Sequence, residues 1–422
     1  MFILMKRTFK ILKTILQVKR NDTLISHHNN IMSHLVNALS YYAGTYQDDT
    51  EDHIYVDFSI LNSGVESNEP VPIVFSESRS SPIIKNPQLY SLTIPRMQVF
   101  TGLIPSFIPD IQVGQSNVNL TTYSFTLAKC VYNEETKEYD IDAQSQAYVT
   151  YVASDLSQPI PQTPTTTPDY SSSYYYVNNF GQWVDMCNTA LQTAFTALSG
   201  ATSLPSSNAP YLLYDPTSND VSLLGDKTGY DTTATTHIGI YMNNACHLLF
   251  SSLNTIYYGG SADNGMNYKV QMKTEKGDSN VLTLDSVDYI TAYQEFPCTS
   301  TWNACKSIVV MANGLGIGQS ISTTPKVYNG LTKNINANPN VSYPIITDIE
   351  VLLTTGTELK PNVLYSPNFY RWFDLYGTSD VSEIIISVFW KSKYGELKPV
   401  MLPVGSYSDI KILFCKNNLI EN

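Results

Sequence analysis

The sequence predicts a mainly β protein: a jelly-roll-type β-sandwich with helical and loop insertions. Three observations carry that reading. Short runs that alternate apolar and polar residues, or are rich in β-branched and aromatic ones, recur along most of the chain, bounded by Gly, Pro, Asn or Asp. Only two stretches show helical spacing. Strands and helices do not alternate, which argues against a doubly wound α/β sheet.

Residues 1–50 read as a basic N-terminal arm and polar linker ahead of a β-rich body at 51–422. "MFILMKRTFKILKTILQV" is apolar but broken by four cations. It therefore offers neither the uninterrupted apolar span of about 20 residues that crosses a membrane nor a clean signal peptide. On a helix, Met5, Phe9, Leu12 and Leu16 share one face beside Lys6, Lys10, Lys13 and Gln17. That pattern suits a membrane surface or an acidic partner. A loose arm, or an extension upstream of a start at Met32, fits it as well.

"HIYVDFSIL" (53–61) places Ile54, Val56, Phe58 and Ile60 on one face, a half-buried strand. "LYSLTIPRMQVF", "TTYSFTLAKCVY" and "QAYVTYVA" follow as strands. Between the first two, "LIPSFIPD" is kept out of a central strand or helix interior by Pro105 and Pro109. Residues 154–173 hold four prolines and read as an extended exposed loop. Tyr170, Tyr174, Tyr175 and Tyr176, at and just after its end, are candidates for an exposed binding surface. From Phe180 to Leu198 apolar residues then recur at three- and four-residue steps. Asn179 is placed to cap that helix at its start and Gly200 at its end.

"APYLLYDPTSNDVSLLG" reads as two short strands about a turn, and "HIGIYMNNACHLLFSSL" as a strand running into a helix capped near Asn243. The inserted loop and helices thus lie at residues 154–260. "DIEVLLTT", "SEIIISVFWKS", "LKPVMLPVG" and "YSDIKILFCK" return to strands. "FWKSKYGELKPVMLP" is a hairpin whose turn places Gly395 where φ > 0 is needed.

Composition narrows the function. Charged residues make up 15%, against roughly 25% in an ordinary soluble protein. Thirty tyrosines against fifteen phenylalanines suit surfaces that half-bury a ring and leave a hydroxyl free. Net charge is −12, yet Lys6, Arg7, Lys10, Lys13, Lys19 and Arg20 give residues 1–20 a charge of +6, leaving −18 on the rest. An acidic body is a poor general nucleic-acid binder, so a polyanion is more readily met by the arm.

No catalytic set emerges. Gly314, Gly316 and Gly318 follow the apolar run "SIVVMA", but no helix pattern comes after them, so a phosphate-binding loop fails on context. Six residues separate Cys298 from Cys305, which fits no zinc spacing, and the six histidines form no metal-binding triplet. The cysteines read as free thiols, the sequons at Asn21, Asn119 and Asn340 do not establish secretion, and no nucleophile elbow is present. The expected catalytic, cofactor and metal residues are therefore none. Two readings remain: an assembly protein, or a receptor- or glycan-binding β-sandwich that uses the Pro/Thr/Tyr-rich segment 159–176.

"STWNACKSIVVMANGLGI", "YPIITDIEVLLTTG" and "KPNVLYSPNFYRWFDLYGTSDVSEIIISVFWKSKYGELKPVMLPVGSYSDIKILFCK" resemble the minor capsid (penton) proteins of Polinton-like viruses, adintoviruses and virophages. "WVDMCNTALQTAF" after a tyrosine run resembles a feature of the same group. The resemblance covers roughly residues 174–416 and leaves 1–50 outside. It implies a jelly-roll subunit of an icosahedral shell, without catalysis or cofactor, located in the virion and made in the host cytoplasm or nucleus. It also implies a homo-oligomer, a pentamer by family precedent, packed against a major capsid protein. An internal membrane or nucleic acid is the expected partner of residues 1–20.

Overall fold

The computed structural model describes residues 51–65, 68–163, 172–259, 263–318, 320–321, 342–350, 362–393 and 395–420. Lys6, Arg7, Lys10, Lys13, Lys19, Arg20 and Tyr170, and with them the reading of an amphipathic arm, lie outside these residues.

Three strands open the body: β1 (His53–Leu61), β2 (Val74–Ser78) and β3 (Tyr90–Phe100). In β1 the alternation read from sequence holds, with Phe58 buried and its ring 6.2 Å from Phe75 of β2. Pro95 sits inside β3 without breaking it. It lies at the register shift where Lys411 pairs with Arg96 but Leu413 with Thr93, a bulge that spares a residue lacking an N–H.

The chain then leaves the sandwich. β4 (Leu120–Asn133) and β5 (Glu138–Thr150) form a long hairpin, and α1 (Phe180–Ala201) packs on both. β6 (Tyr211–Asp215), β7 (Asp220–Asp226), β8 (Thr236–Met242), α2 (Asn244–Leu249), β9 (Thr255–Tyr257), β10 (Tyr268–Val270), β11 (Val281–Leu284) and β12 (Val287–Ala292) follow. These strands make two antiparallel sheets, ordered β9-β10-β8-β4-β5 and β11-β12-β7-β6. The Asn179 side chain accepts from the Gln182 N–H at 2.8 Å and caps α1 as expected, and Asn243 caps α2 in the same way at 2.9 Å. Gly200 does not end α1: it stays helical, and Thr202 is the C-cap, its hydroxyl bonded to Asp142 and Lys129.

Five sandwich strands complete the chain with one short edge strand: β13 (Cys305–Asn313), β14 (Ile345–Glu350), β15 (Asn362–Tyr365), β16 (Glu383–Ser392), β17 (Leu397–Pro399) and β18 (Tyr407–Lys416). One sheet runs β1-β18-β3-β15; the other runs β14-β13-β16, with β2 and β17 both on the far edge of β16. With the edge strand β17 set aside, each sheet alternates strands from the first four of the eight (β1, β2, β3, β13) with strands from the last four (β14, β15, β16, β18), the interleaved order of a jelly roll. The hairpin turn is as expected, with Gly395 at φ 88° between β16 and β17.

The insertion therefore fills the whole connection between β3 and β13 and is wider than 154–260. Sequence reading assigned β4 and β5 to the body because their residues look like sandwich strands. β4, however, pairs with β8 of the insertion and β5 with β4, and pairing partners are not written in local pattern. One contiguous core runs through sandwich and insertion.

Candidate functional site

The glycine stretch has a structural use. Gly316 meets the Tyr376 backbone so closely that an added Cβ would lie 1.9 Å from the Tyr376 carbonyl oxygen. Its carbonyl also accepts from the Tyr376 N–H. Gly314, at φ +87°, makes the turn that leads into that contact. The six cysteines are buried free thiols, and burial pushes the Cys305 thiol up to about 12. Among the described residues no cluster of His, Cys, Asp and Glu is placed to hold a metal ion.

The tyrosine run at 174–176 does not form an exposed loop. Tyr174 and Tyr175 are buried, donating their hydroxyls to Asn119 Oδ1 at 3.0 Å and to the Val118 carbonyl at 2.8 Å. Tyr151 completes the cluster by donating to the Tyr174 carbonyl, and burial raises its hydroxyl to about 12. Tyr176 is half-buried where insertion meets sandwich; its hydroxyl accepts from Lys398 Nζ at 3.0 Å and its ring lies 6.1 Å from Trp390. Tyr174 and Tyr175 thus pack within the insertion, and Tyr176 joins the insertion to the sandwich. The signal missed was the polar partner, since Val118 and Asn119 lie some 55 residues away in sequence.

A second buried group was not legible at all. His237 is fully buried on β8, its Nδ1 3.4 Å from the Ala234 carbonyl and its Nε2 3.3 Å from Lys269 Nζ on β10. With the proton on Nδ1, Nε2 accepts from the lysine. Lys269 sits over the rings of Tyr139 and Tyr241 at 5.6 and 5.7 Å. Burial, then the Lys269 charge, hold the His237 pKa down at about 4.

Charge is partitioned between the two parts of the fold. Residues 105–304 contain six Lys and Arg against nineteen Asp and Glu, whereas 53–104 and 305–422 together contain thirteen of each. The insertion is thus strongly acidic and the sandwich neutral. The sandwich also presents aromatic groups to solvent: Phe369 is 90% exposed and Tyr376 63%. A neutral face with exposed rings packs against another protein at less desolvation cost than an acidic one.

Comparison with known proteins follows the same lines. A family model described as Sputnik minor capsid protein V18/19 matches residues 54–416, sandwich and insertion alike. Structural protein V19 of Sputnik virophage is 27% identical over 211 residues, which is 49% of this chain and 94% of that protein. Uncharacterized protein V18 of the same virophage is 32% identical over 133 residues, 30% of this chain and 74% of that protein. A chain in the 3.5 Å cryo-EM structure of the Sputnik virophage superposes with a TM-score of 0.71 at 26% identity, covering 88% of this chain and 100% of its own. The crystal structure of the mavirus penton protein shares the fold, with a TM-score of 0.58 at 14% identity over 87% of this chain and 100% of its own.

Proposed function

The chain belongs to the Sputnik minor capsid protein V18/19 family and is a structural subunit of a virus capsid, and from that premise we propose that it acts as a penton-like subunit. It closes a ring with copies of itself and packs on the major capsid protein. Its role is structural rather than catalytic, and its place is the virion. The observation that carries the reading is the family match across residues 54–416 on a chain whose strands follow jelly-roll order.

The charge partition supports the orientation. Copies that pack through neutral sandwiches keep the insertion's exposed carboxylates in water, where repulsion between neighbours is screened. The insertions then stand clear of the shell contacts. Residues 1–20, with six cations, reach an anionic surface inside the particle. Sedimentation of the full chain, alone and with the major capsid protein, tests the reading. A concentration-dependent ring or a stable co-complex is expected, and a monomer that binds neither itself nor that partner would contradict it.

A further inference from the structure

Two features on opposite edges of the sandwich complement each other. On the edge carrying β14 and β15, Leu364 of β15 is 74% exposed, and the turn after β15 holds Phe369 90% exposed and Tyr370 48% exposed. Arg371 pins this turn to the β14 edge through Asp348 at 2.9 Å and keeps about half its side chain in solvent. On the edge carrying β17, a cleft of about 450 Å³ is walled by Leu103, Ile104, Trp390, Leu397 and Met401. Its floor is ionic. Lys398 Nζ is engaged by the Tyr176 hydroxyl at 3.0 Å and by the rings of Tyr176 and Trp390. Glu396 Oε2 is buried and accepts no hydrogen bond among the described residues, with Lys398 Nζ 3.9 Å away.

A buried carboxylate oxygen without a donor is costly, and an occupant that brings one relieves it. The occupant must also be apolar where it meets the walls. Phe369 and Arg371 offer that pair: a ring held in water, and a guanidinium with donors beyond the one spent on Asp348. β14 and β17 end the same sheet on opposite sides, separated by β13 and β16, so one copy cannot fill its own cleft. Two copies placed head to tail can, and repetition of such a contact about an axis closes a ring.

We infer that the Phe369–Arg371 turn of one copy seats in the Leu103–Trp390–Glu396 cleft of the next, making this the contact between neighbouring subunits. The inference rests on the self-assembly reading above. Phe369 and Leu103 are both exposed, so Phe369→Asp and Leu103→Asp leave the fold intact, checked by circular dichroism and thermal melting. Each alone should raise the concentration needed for half-assembly about tenfold or more. Mixed together they keep one good contact per pair and should stop at the heterodimer. Because the six native cysteines are buried, Phe369→Cys combined with Leu103→Cys should give disulfide-linked oligomers on mild oxidation. If the wild type assembles and both aspartate variants assemble equally well, with no cross-link in the cysteine pair, the contact is wrong and the self-assembly reading survives. If the wild type itself never leaves the monomer, that reading fails and takes this contact with it.

Discussion

The indole N–H of Trp302 donates to the Leu249 carbonyl at 2.8 Å, tying the last turn before β13 to α2. The bond spans the return of the chain from insertion to sandwich. Around it, Phe107, Phe180 and Phe250 bring their rings to 6.1, 5.4 and 5.6 Å from Trp302. Trp183, equally buried and 4.6 Å from Phe107, has no acceptor for its indole N–H among the described residues.

That contrast sets the first prediction. Replacing Trp302 by Phe opens a void and strands a buried carbonyl, whereas Trp183→Phe opens a similar void but removes an unmet donor. Trp302→Phe should cost about 1–3 kcal/mol more than Trp183→Phe. Urea unfolding of the two variants measures the difference; equal costs would show that the Leu249 bond contributes nothing.

The second prediction concerns acid. His237 has a folded pKa of about 4 against an ordinary 6.5, so between these values the unfolded chain binds more protons and stability falls as pH falls. The groups facing it are Lys269, Asp231 and Tyr139. Of these, Lys269 opposes protonation and Asp231 favours it. The loss should approach about 3 kcal/mol near pH 4. His247, also lowered by burial, adds in the same direction. Thermal melts from pH 7.5 to 4 should show His237→Asn with a shallower decline than the wild type.

A third prediction separates two neighbouring glycines. Gly316→Ala drives a methyl into the Tyr376 backbone, which has little freedom to give, and should cost about 3 kcal/mol. Gly314→Ala meets no atom and suffers only its positive φ, about 1–2 kcal/mol. Thermal denaturation should rank them in that order.

These residues also show what the sequence could tell. The alternation in "HIYVDFSIL" and the Asn179 cap were legible because each depends on neighbours within a few positions. The first half of β5, from Glu138 to Gln146, was not: its residues are largely polar, and its strand character comes from pairing with β4 across the hairpin. Tyr174 and Tyr175 looked like surface residues because nothing nearby can take a buried hydroxyl. Gly316 read as a loose turn because Tyr376, the backbone it presses on, is sixty residues further along. The placement of Phe369 and the Glu396 cleft on opposite edges depends on strand order, which local pattern does not encode.

The fourth prediction follows from the arm. Six cations near an anionic lipid surface contribute about 1 kcal/mol each, and the same charges on phosphates give binding that weakens steeply with salt. Removing residues 1–31 should leave the body folded and still able to assemble. It should abolish salt-sensitive binding to phosphatidylserine vesicles or DNA in flotation and gel-shift assays. Undiminished binding by the truncated chain would move the anionic contact elsewhere.

The central claim, a jelly-roll subunit of the capsid, is tested most directly by a cryo-EM map of particles containing this chain. The account predicts density for the sandwich within the shell, copies meeting edge to edge in a ring, and the acidic insertion standing clear of the shell contacts. A map in which the chain lies outside the shell, or meets its neighbours through the insertion while the sandwich stands free, would contradict it.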